Sequence, residues 1–250
     1  MLRLKEFIQK KKLSSKKAYI PTEPVHFKFS TRKTNKKETS SNIKEDAGSE
    51  LPHLSDMPNL NRRLGETPRA VSLKLFKNLE RTNPLNKDEI EHLRKYTANS
   101  GVNHDLVDAH HGGKSIPTKY AEHLKHLDSA TGRSIGKEIH LYTGIGFNPG
   151  RVIDTEGHLH LPAYTSTTHD TKTALRFARP LNTEGERHIL HIHAEADDKG
   201  VNVENITDNE EEHETVLPRN TRLKIHPVPT VYRHENGNVH VWHARIVRQD

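Results

Sequence analysis

The feature that most limits the fold of this chain is a change of hydrophobic period at Gly136. Before it, apolar residues recur at helical spacing; after it, they alternate or run in short blocks bounded by turn residues. Residues 71–76, with Val71, Leu73, Leu75 and Phe76, and residues 88–93, after the turn-forming Asn83-Pro84, read as short helices. Residues 96–106 read as a turn leading into another helix. The spacing predicts a helix over 115–130, with Pro117 in its first turn and Leu124, Leu127 and Ala130 on its buried side. Strands are expected at 139–142, 162–168, 187–194, 201–203, 215–217, 222–225 and 239–247, with Asp170 capping a short helix through Ala174, Leu175 and Phe177. In 187–194, Ile189, His191 and His193 fall on one face and Leu190 and Ile192 on the other. Helices first and strands after imply an α+β fold with N-terminal helices, and exclude an alternating parallel one.

Composition divides the chain. Of its 250 residues only 31% are hydrophobic, and the mean hydropathy of −0.88 is too low for a compact core throughout. Residues 1–70 hold the bias: Lys10-Lys11-Lys12, Lys16-Lys17, Arg32-Lys33 and Lys36-Lys37 alternate with Ser, Thr, Pro and Asn. They read as a basic, mostly disordered arm, leaving 71–250 as the folded domain. The net charge of +6 makes phosphate contact through this arm, and so DNA, an expected partner. No apolar run is long enough for a membrane span, and the absence of Cys excludes disulfides and thiolate chemistry. A monomer is expected.

The chemistry-bearing stretch is Glu210-Glu211-Glu212-His213-Glu214-Thr215-Val216-Leu217-Pro218-Arg219. If its second half is a strand, Glu212 and Glu214 look out side by side and His213 looks away. Neighbouring carboxylates push their pKa values apart, so that one can hold a developing positive charge while the other handles a proton. An acid run is also an ordinary solvated loop. The twenty histidines include the pairs His158/His160, His191/His193 and His110/His111. A His-x-His strand can serve zinc, and Asp197 and Asp198 follow His193. With no Cys and no His-Glu-x-x-His helix, solvated strand faces are the expectation and no metal is assigned. Gly112-Gly113-Lys114-Ser115 mimics the end of a phosphate loop, but Asp108 stands where that loop needs Gly.

Taken together, residues 76–247 resemble the mono-ADP-ribosyltransferases of the Arg-Ser-Glu class. Residues 96–106, opening on Tyr96-Thr97, are similar to the family's tyrosine–threonine turn. Tyr142-Thr143-Gly144 stands where the family has its arginine–glycine strand end. Tyr164-Thr165-Ser166-Thr167-Thr168 resembles the aromatic-x-Ser-Thr-Ser strand, and Glu212-His213-Glu214 the Glu-x-Glu strand. The resemblance implies a split β-sandwich with N-terminal helices, NAD as substrate between two small, roughly perpendicular sheets, and no metal. It implies that Glu214 stabilises an oxocarbenium-like ribose and binds its hydroxyl, and that Glu212 holds and helps deprotonate the acceptor. Ser166 would orient Glu214, with Thr167 supporting the strand beside Tyr164. The Gly144 backbone would lie against the nicotinamide amide, and Phe177 would either pack beside the nicotinamide pocket or be an ordinary core residue, the latter being the expectation. Glu at 212 is typical of relatives that modify arginine, whose guanidinium suits an anionic partner.

One departure stands out: Thr143 replaces the arginine that grips the phosphates of NAD. A hydrogen bond to a charged group is worth about 1.5–3 kcal/mol, so another cation must stand in, Arg151 or Arg176, or the enzyme is crippled. The first ten residues, Met-Leu-Arg-Leu-Lys-Glu-Phe-Ile-Gln-Lys, are similar to capsid-targeting peptides of T4-like bacteriophages, which carry such transferases in their heads. Ile43-Lys44-Glu45 and Leu64-Gly65-Glu66 fit the cleavage pattern of their prohead proteases. The resemblance therefore implies a virion protein delivered to the host cytoplasm, acting on an arginine of the host transcription or translation machinery. The contrasting expectation is an inactive transferase-fold virion protein that binds DNA through its arm.

Overall fold

The computed structural model describes residues 51–57, 67–98, 105–106, 116–180, 185–207 and 210–248. The expectations for the basic arm over 1–50, the peptide at its start, both cleavage-like sites, the His110/His111 pair and the Gly112–Ser115 loop lie outside these residues.

The helical lead-in follows from local capping. Helix α1 (Pro68–Thr82) opens with Thr67, whose side chain accepts from the Ala70 N–H, and with Pro at its first position. It buries Val71, Leu75, Phe76 and Leu79. Helix α2 (Lys87–Thr97) starts on a reciprocal cap in which Asn86 and Glu89 satisfy each other's backbone N–H. The helix expected from Ser115 is shorter. Pro117 is extended, Thr118–Tyr120 winds as a 3-10 turn, and α3 spans Ala121–Thr131. Asp170 caps α4 (Thr171–Phe177) through the Thr173 N–H at 2.9 Å.

Among the described residues nine strands follow: β1 (Ile139–Ile145), β2 (His158–Leu161), β3 (Thr165–Thr168), β4 (Arg187–Ala194), β5 (Val201–Asn202), β6 (Glu214–Leu217), β7 (Thr221–Ile225), β8 (Thr230–His234) and β9 (Gly237–Ile246). They pair in the order β2-β7-β9-β4-β1-β3-β6-β5, with β8 sharing one edge of β9 with β7, along Gly237–Val241. The fold is thus α+β, with its strands in one connected sheet. The connection between the halves is narrow. β1 pairs with β4 from Ile139↔Ala194 to Ile145↔His188, but with β3 only at Tyr142↔Thr168. Past that pair, Thr143–Ile145 has a strand partner on one side only among the described residues. This is the split, and it leaves that stretch of β1 as an open edge among the described residues.

The core falls into three clusters, the first of which spans the split. Leu141, Leu190, Ile192, Leu217, Leu223 and Trp242 fill one face of the sheet, joined by Val71 and Leu75 of α1. Phe76, Leu93, Tyr96, Leu127, Tyr164 and Val216 bind the helices to the β3–β6–β5 half. Ala174 and Ala178 close over Tyr142, Ile189 and Val241. The ordered domain also reaches further back than residue 71. The Arg233 N–H donates to the Pro52 carbonyl at 2.8 Å, and Met57 is buried with Tyr232. Residues 51–57, assigned to the arm by composition, therefore dock on β8. No helix among the described residues is long and apolar enough to cross a membrane.

Candidate active site

The β3–β6 ladder sets the centre of the site. Its register places Thr168 opposite Glu214 and Ser166 opposite Val216, so Ser166 and Glu214 are diagonal neighbours on one face. The Ser166 hydroxyl donates to the Glu214 carboxylate. Glu214 is only 5% exposed, whereas Ser166 is open to solvent. Burial pushes the Glu214 carboxyl up to about 7; the Ser166 hydrogen bond opposes this and the charge of Glu212 adds to it. Tyr96, at the end of α2, completes the floor. Its hydroxyl donates to the Tyr164 carbonyl at 3.0 Å and is hydrogen-bonded to Ser166. Burial and the nearby Glu214 hold its phenol well above the usual range. Only the motif position of Tyr96, at a turn, pointed to it in the sequence.

The Glu-x-Glu segment is not one continuous strand, as alternation implied. Glu210–Glu212 forms a 3-10 turn, β6 begins at Glu214, and His213 between them has φ +47°. Glu212 therefore reaches the site from a turn, and the two carboxyls interact across a kink. Glu212 is half-buried. Burial raises its carboxyl and the charge of Arg176 opposes that rise. All three carbonyls of the segment are tied down. Thr168 Oγ donates to that of Glu212 at 2.6 Å, the His169 N–H to that of His213 at 3.3 Å, and the Val203 N–H to that of Glu214 at 3.1 Å.

The remaining sequence candidates take different places. Tyr164 and Thr167 are buried and support the strand: Tyr164 donates to Asp128 Oδ1 and Thr167 Oγ to the Thr215 carbonyl at 2.6 Å. Gly144 is required for packing. A Cβ there would lie 2.2 Å from the Ala178 nitrogen and 2.3 Å from the Ala174 carbonyl oxygen, so the missing side chain makes room for α4. Thr143 is half-buried on the opposite face of β1, with Leu141 and Ile145. The two cations separate accordingly. Arg151, exposed in the turn Pro149–Arg151, acts electrostatically on His188, which lies opposite Ile145 on the Thr143 face. Arg176, exposed on α4, hydrogen-bonds Thr173 Oγ at 3.1 Å and acts on Glu212. Phe177 ends α4 half-buried and joins none of the three apolar clusters among the described residues.

The histidines form sheet-face networks. His191, on the face opposite Leu190, meets His140 at 3.0 Å and His243 at 2.9 Å. His188 lies 3.0 Å from Glu186 and near His240, a grouping with metal-ligand spacing. The Trp242 indole, a donor only, donates to His188 Nδ1 at 3.0 Å, which leaves the ring proton on the Nε2 that a metal would need. Asp154, Glu156 and His158 also gather, but Arg222 already bonds to all three.

A buried carboxyl of raised pKa, bonded to a strand serine, set beside a second carboxyl and an open strand edge, is a site for stabilising a glycosyl cation. The sequence model of the ADP-ribosyltransferase exoenzyme family matches residues 72–245. The chain belongs to that family. It is a transferase using NAD as substrate, and the family acts on protein targets. The fold agrees with those of bacterial toxins. The transferase resembles Plx2a, an ADP-ribosyltransferase toxin from Paenibacillus larvae, at 17% identity and a TM-score of 0.56, over 71% of this chain and 93% of that one. It resembles C3stau2 from S. aureus, solved with NAD, at 16% identity and 0.54, over 71% and 95%. For the Clostridium limosum C3 exoenzyme the values are 17% and 0.53, over 80% and 98%. No curated protein matches the chain in sequence.

Proposed function

We propose that this transferase moves ADP-ribose from NAD to arginine side chains of a host protein. The observation that carries the reading is the Ser166–Glu214 pair, with Glu214 raised to about 7 beside Glu212. Glu214 binds the nicotinamide ribose and stabilises the positive charge at C1′ as the bond to nicotinamide breaks. Neutral nicotinamide leaves with the bonding pair. A guanidinium nitrogen attacks C1′ and gives up one proton, which Glu212 receives. A carboxyl whose pKa is raised by burial is a better base than an exposed one, and an anion is the natural partner for a cationic acceptor. Arg151 shares the Thr143 face, so it stands in for the missing arginine at the diphosphate, while Arg176 balances the charge of the Glu pair. The delivery route is read from the N-terminal ten residues: packaging in a phage head, DNA contact through the basic arm, and release into host cytoplasm, where transcription or translation proteins are the acceptors.

Thr143 favours one second reading, an inactive transferase-fold virion protein that binds DNA. Labelled NAD separates the two. Wild type should mark agmatine and arginine-bearing host proteins, and Glu214→Ala should not; no label from either supports the binding reading. Salt-dependent DNA binding that disappears on removing residues 1–50 would establish the role of the arm under both.

A further inference from the structure

The residue between the two catalytic acids is held by a contact that no motif contains. His213 has φ +47°, and the other non-Gly residue with positive φ among the described residues is Asn220, a type that tolerates it. For a histidine this conformation costs about 1–3 kcal/mol and persists only where the surroundings impose it. Hydrogen bonds hold the carbonyls on either side of it, and the side chain that grips its ring is Glu204. His213 Nδ1 lies 3.2 Å from both Glu204 carboxylate oxygens, and Glu204 is 2% exposed. A carboxylate so enclosed needs a partner. The anchor is itself built onto the site: the Glu204 N–H donates to Asn202 Oδ1 at 3.2 Å, and Asn202 Nδ2 donates to the Glu214 carbonyl at 3.1 Å.

We propose that the Glu204–His213 pair is a latch that fixes Glu212 relative to Glu214, and so governs how ADP-ribose is divided between the acceptor side chain and water. Both are positioning residues. Cleavage of the C1′–nitrogen bond relies on Glu214 and Ser166, which the β3–β6 ladder places without help from the His213 torsion. Capture by a guanidinium relies on Glu212, whose carboxyl hangs from the residue that torsion controls. Water needs less orienting: it adds to C1′, releases a proton to solvent, and leaves free ADP-ribose. A displacement of about 1 Å can cost on the order of a hundredfold in an oriented transfer, so loosening the latch depresses transfer and spares hydrolysis.

The inference rests on Glu212 serving the acceptor, as proposed above. The test measures transfer to agmatine and NAD hydrolysis side by side in wild type, His213→Gly, His213→Asn and Glu204→Ala. His213→Gly keeps the backbone conformation accessible and removes the anchor. The expected result is a transfer-to-hydrolysis ratio about tenfold or more below wild type in His213→Gly and Glu204→Ala, with hydrolysis within about threefold of wild type. Partial recovery is expected in His213→Asn, which tolerates the same torsion. Partial unfolding scales both rates together and leaves the ratio unchanged. Equal losses in both reactions, or an unaltered ratio, overturn the latch. Wild type that hydrolyses NAD but labels no arginine acceptor defeats the arginine assignment instead. The latch is then decided by a crystal structure of His213→Gly: Glu212 displaced with the Ser166–Glu214 bond intact upholds it, and Glu212 unmoved overturns it.

Discussion

Replacing Glu214 by Gln is expected to remove activity and to stabilise the protein, increasingly as pH rises from 4.5 and fully above about 7. Burial raises this carboxyl from 4.5 to about 7. The folded state therefore holds the Glu214 proton more tightly than the unfolded chain does. Below pH 4.5 the group is protonated in both states and costs nothing. As pH rises toward 7 the unfolded state gains by ionising and the folded state does not, so stability falls, and above 7 the loss is complete. At about 1.36 kcal/mol per pH unit the loss comes to about 3 kcal/mol. Gln has nearly the same shape, can still accept from Ser166, and does not titrate. Urea midpoints for both proteins at about pH 5 and about pH 8.5 give a double difference in which all other titrating groups cancel, apart from the one neighbour coupled to Glu214. That neighbour, Glu212, loses a like charge in the variant and shifts in the same stabilising sense. The variant should be more stable by about 2–3 kcal/mol at the higher pH and by under about 1 at the lower one. A double difference within about 0.5 kcal/mol would show that Glu214 is ordinarily ionised in the folded protein, and the assignment of it as a desolvated carboxylate poised for a cation would be wrong.

Three further substitutions probe the open edge of β1. Gly144→Ala should cost about 3 kcal/mol or more, because the new Cβ meets backbone atoms of α4 rather than yielding side chains; calorimetry showing a near-neutral effect would mean α4 is not seated there. Arg151→Ala should raise KM for NAD about ten- to a hundredfold with a smaller change in kcat, and Thr143→Arg in that background should recover much of it; an unchanged KM removes Arg151 from the diphosphate.

Period and capping were legible in the sequence wherever they were locally determined. The helices around Val71 and Ile90 and the alternation of Leu190 and Ile192 against Ile189 and His191 appear as the sequence implied, because each depends on short-range spacing. Two strands escaped. β2 has only Leu159 and Leu161 as apolar residues and owes its form to β7, while β8 owes its own to β9; nonlocal pairing leaves little local signal. Ser166 and Glu214 were legible as a motif, and their hydrogen bond follows from a register that no single stretch encodes. The kink at His213 was not legible. Alternation assumed that a strand continues upstream of Glu214, and the side chain that grips the kinked residue comes from Glu204.

The single Tyr142↔Thr168 pair explains why the site lies where it does. A sheet paired along its whole length would satisfy both edges of β1 and leave no backbone facing a ligand. A sheet severed there would let β3 and β6 drift relative to β1 and α4. One pair holds the halves in register and leaves Thr143–Ile145 open. Glu214 then belongs to the β3–β6 half, Arg176 acts on its neighbour Glu212 from α4, and Arg151 stays on the Thr143 face. The cost of desolvating Glu214 falls on a half-sheet anchored by Tyr96, Leu127 and Val216, so the strain of the chemistry is carried by the helix-backed side. That division predicts where destabilisation should matter most for turnover. Losses in the helix-backed half move the carboxylates, whereas equal losses around β8 should lower stability with little change in the ratio of transfer to hydrolysis.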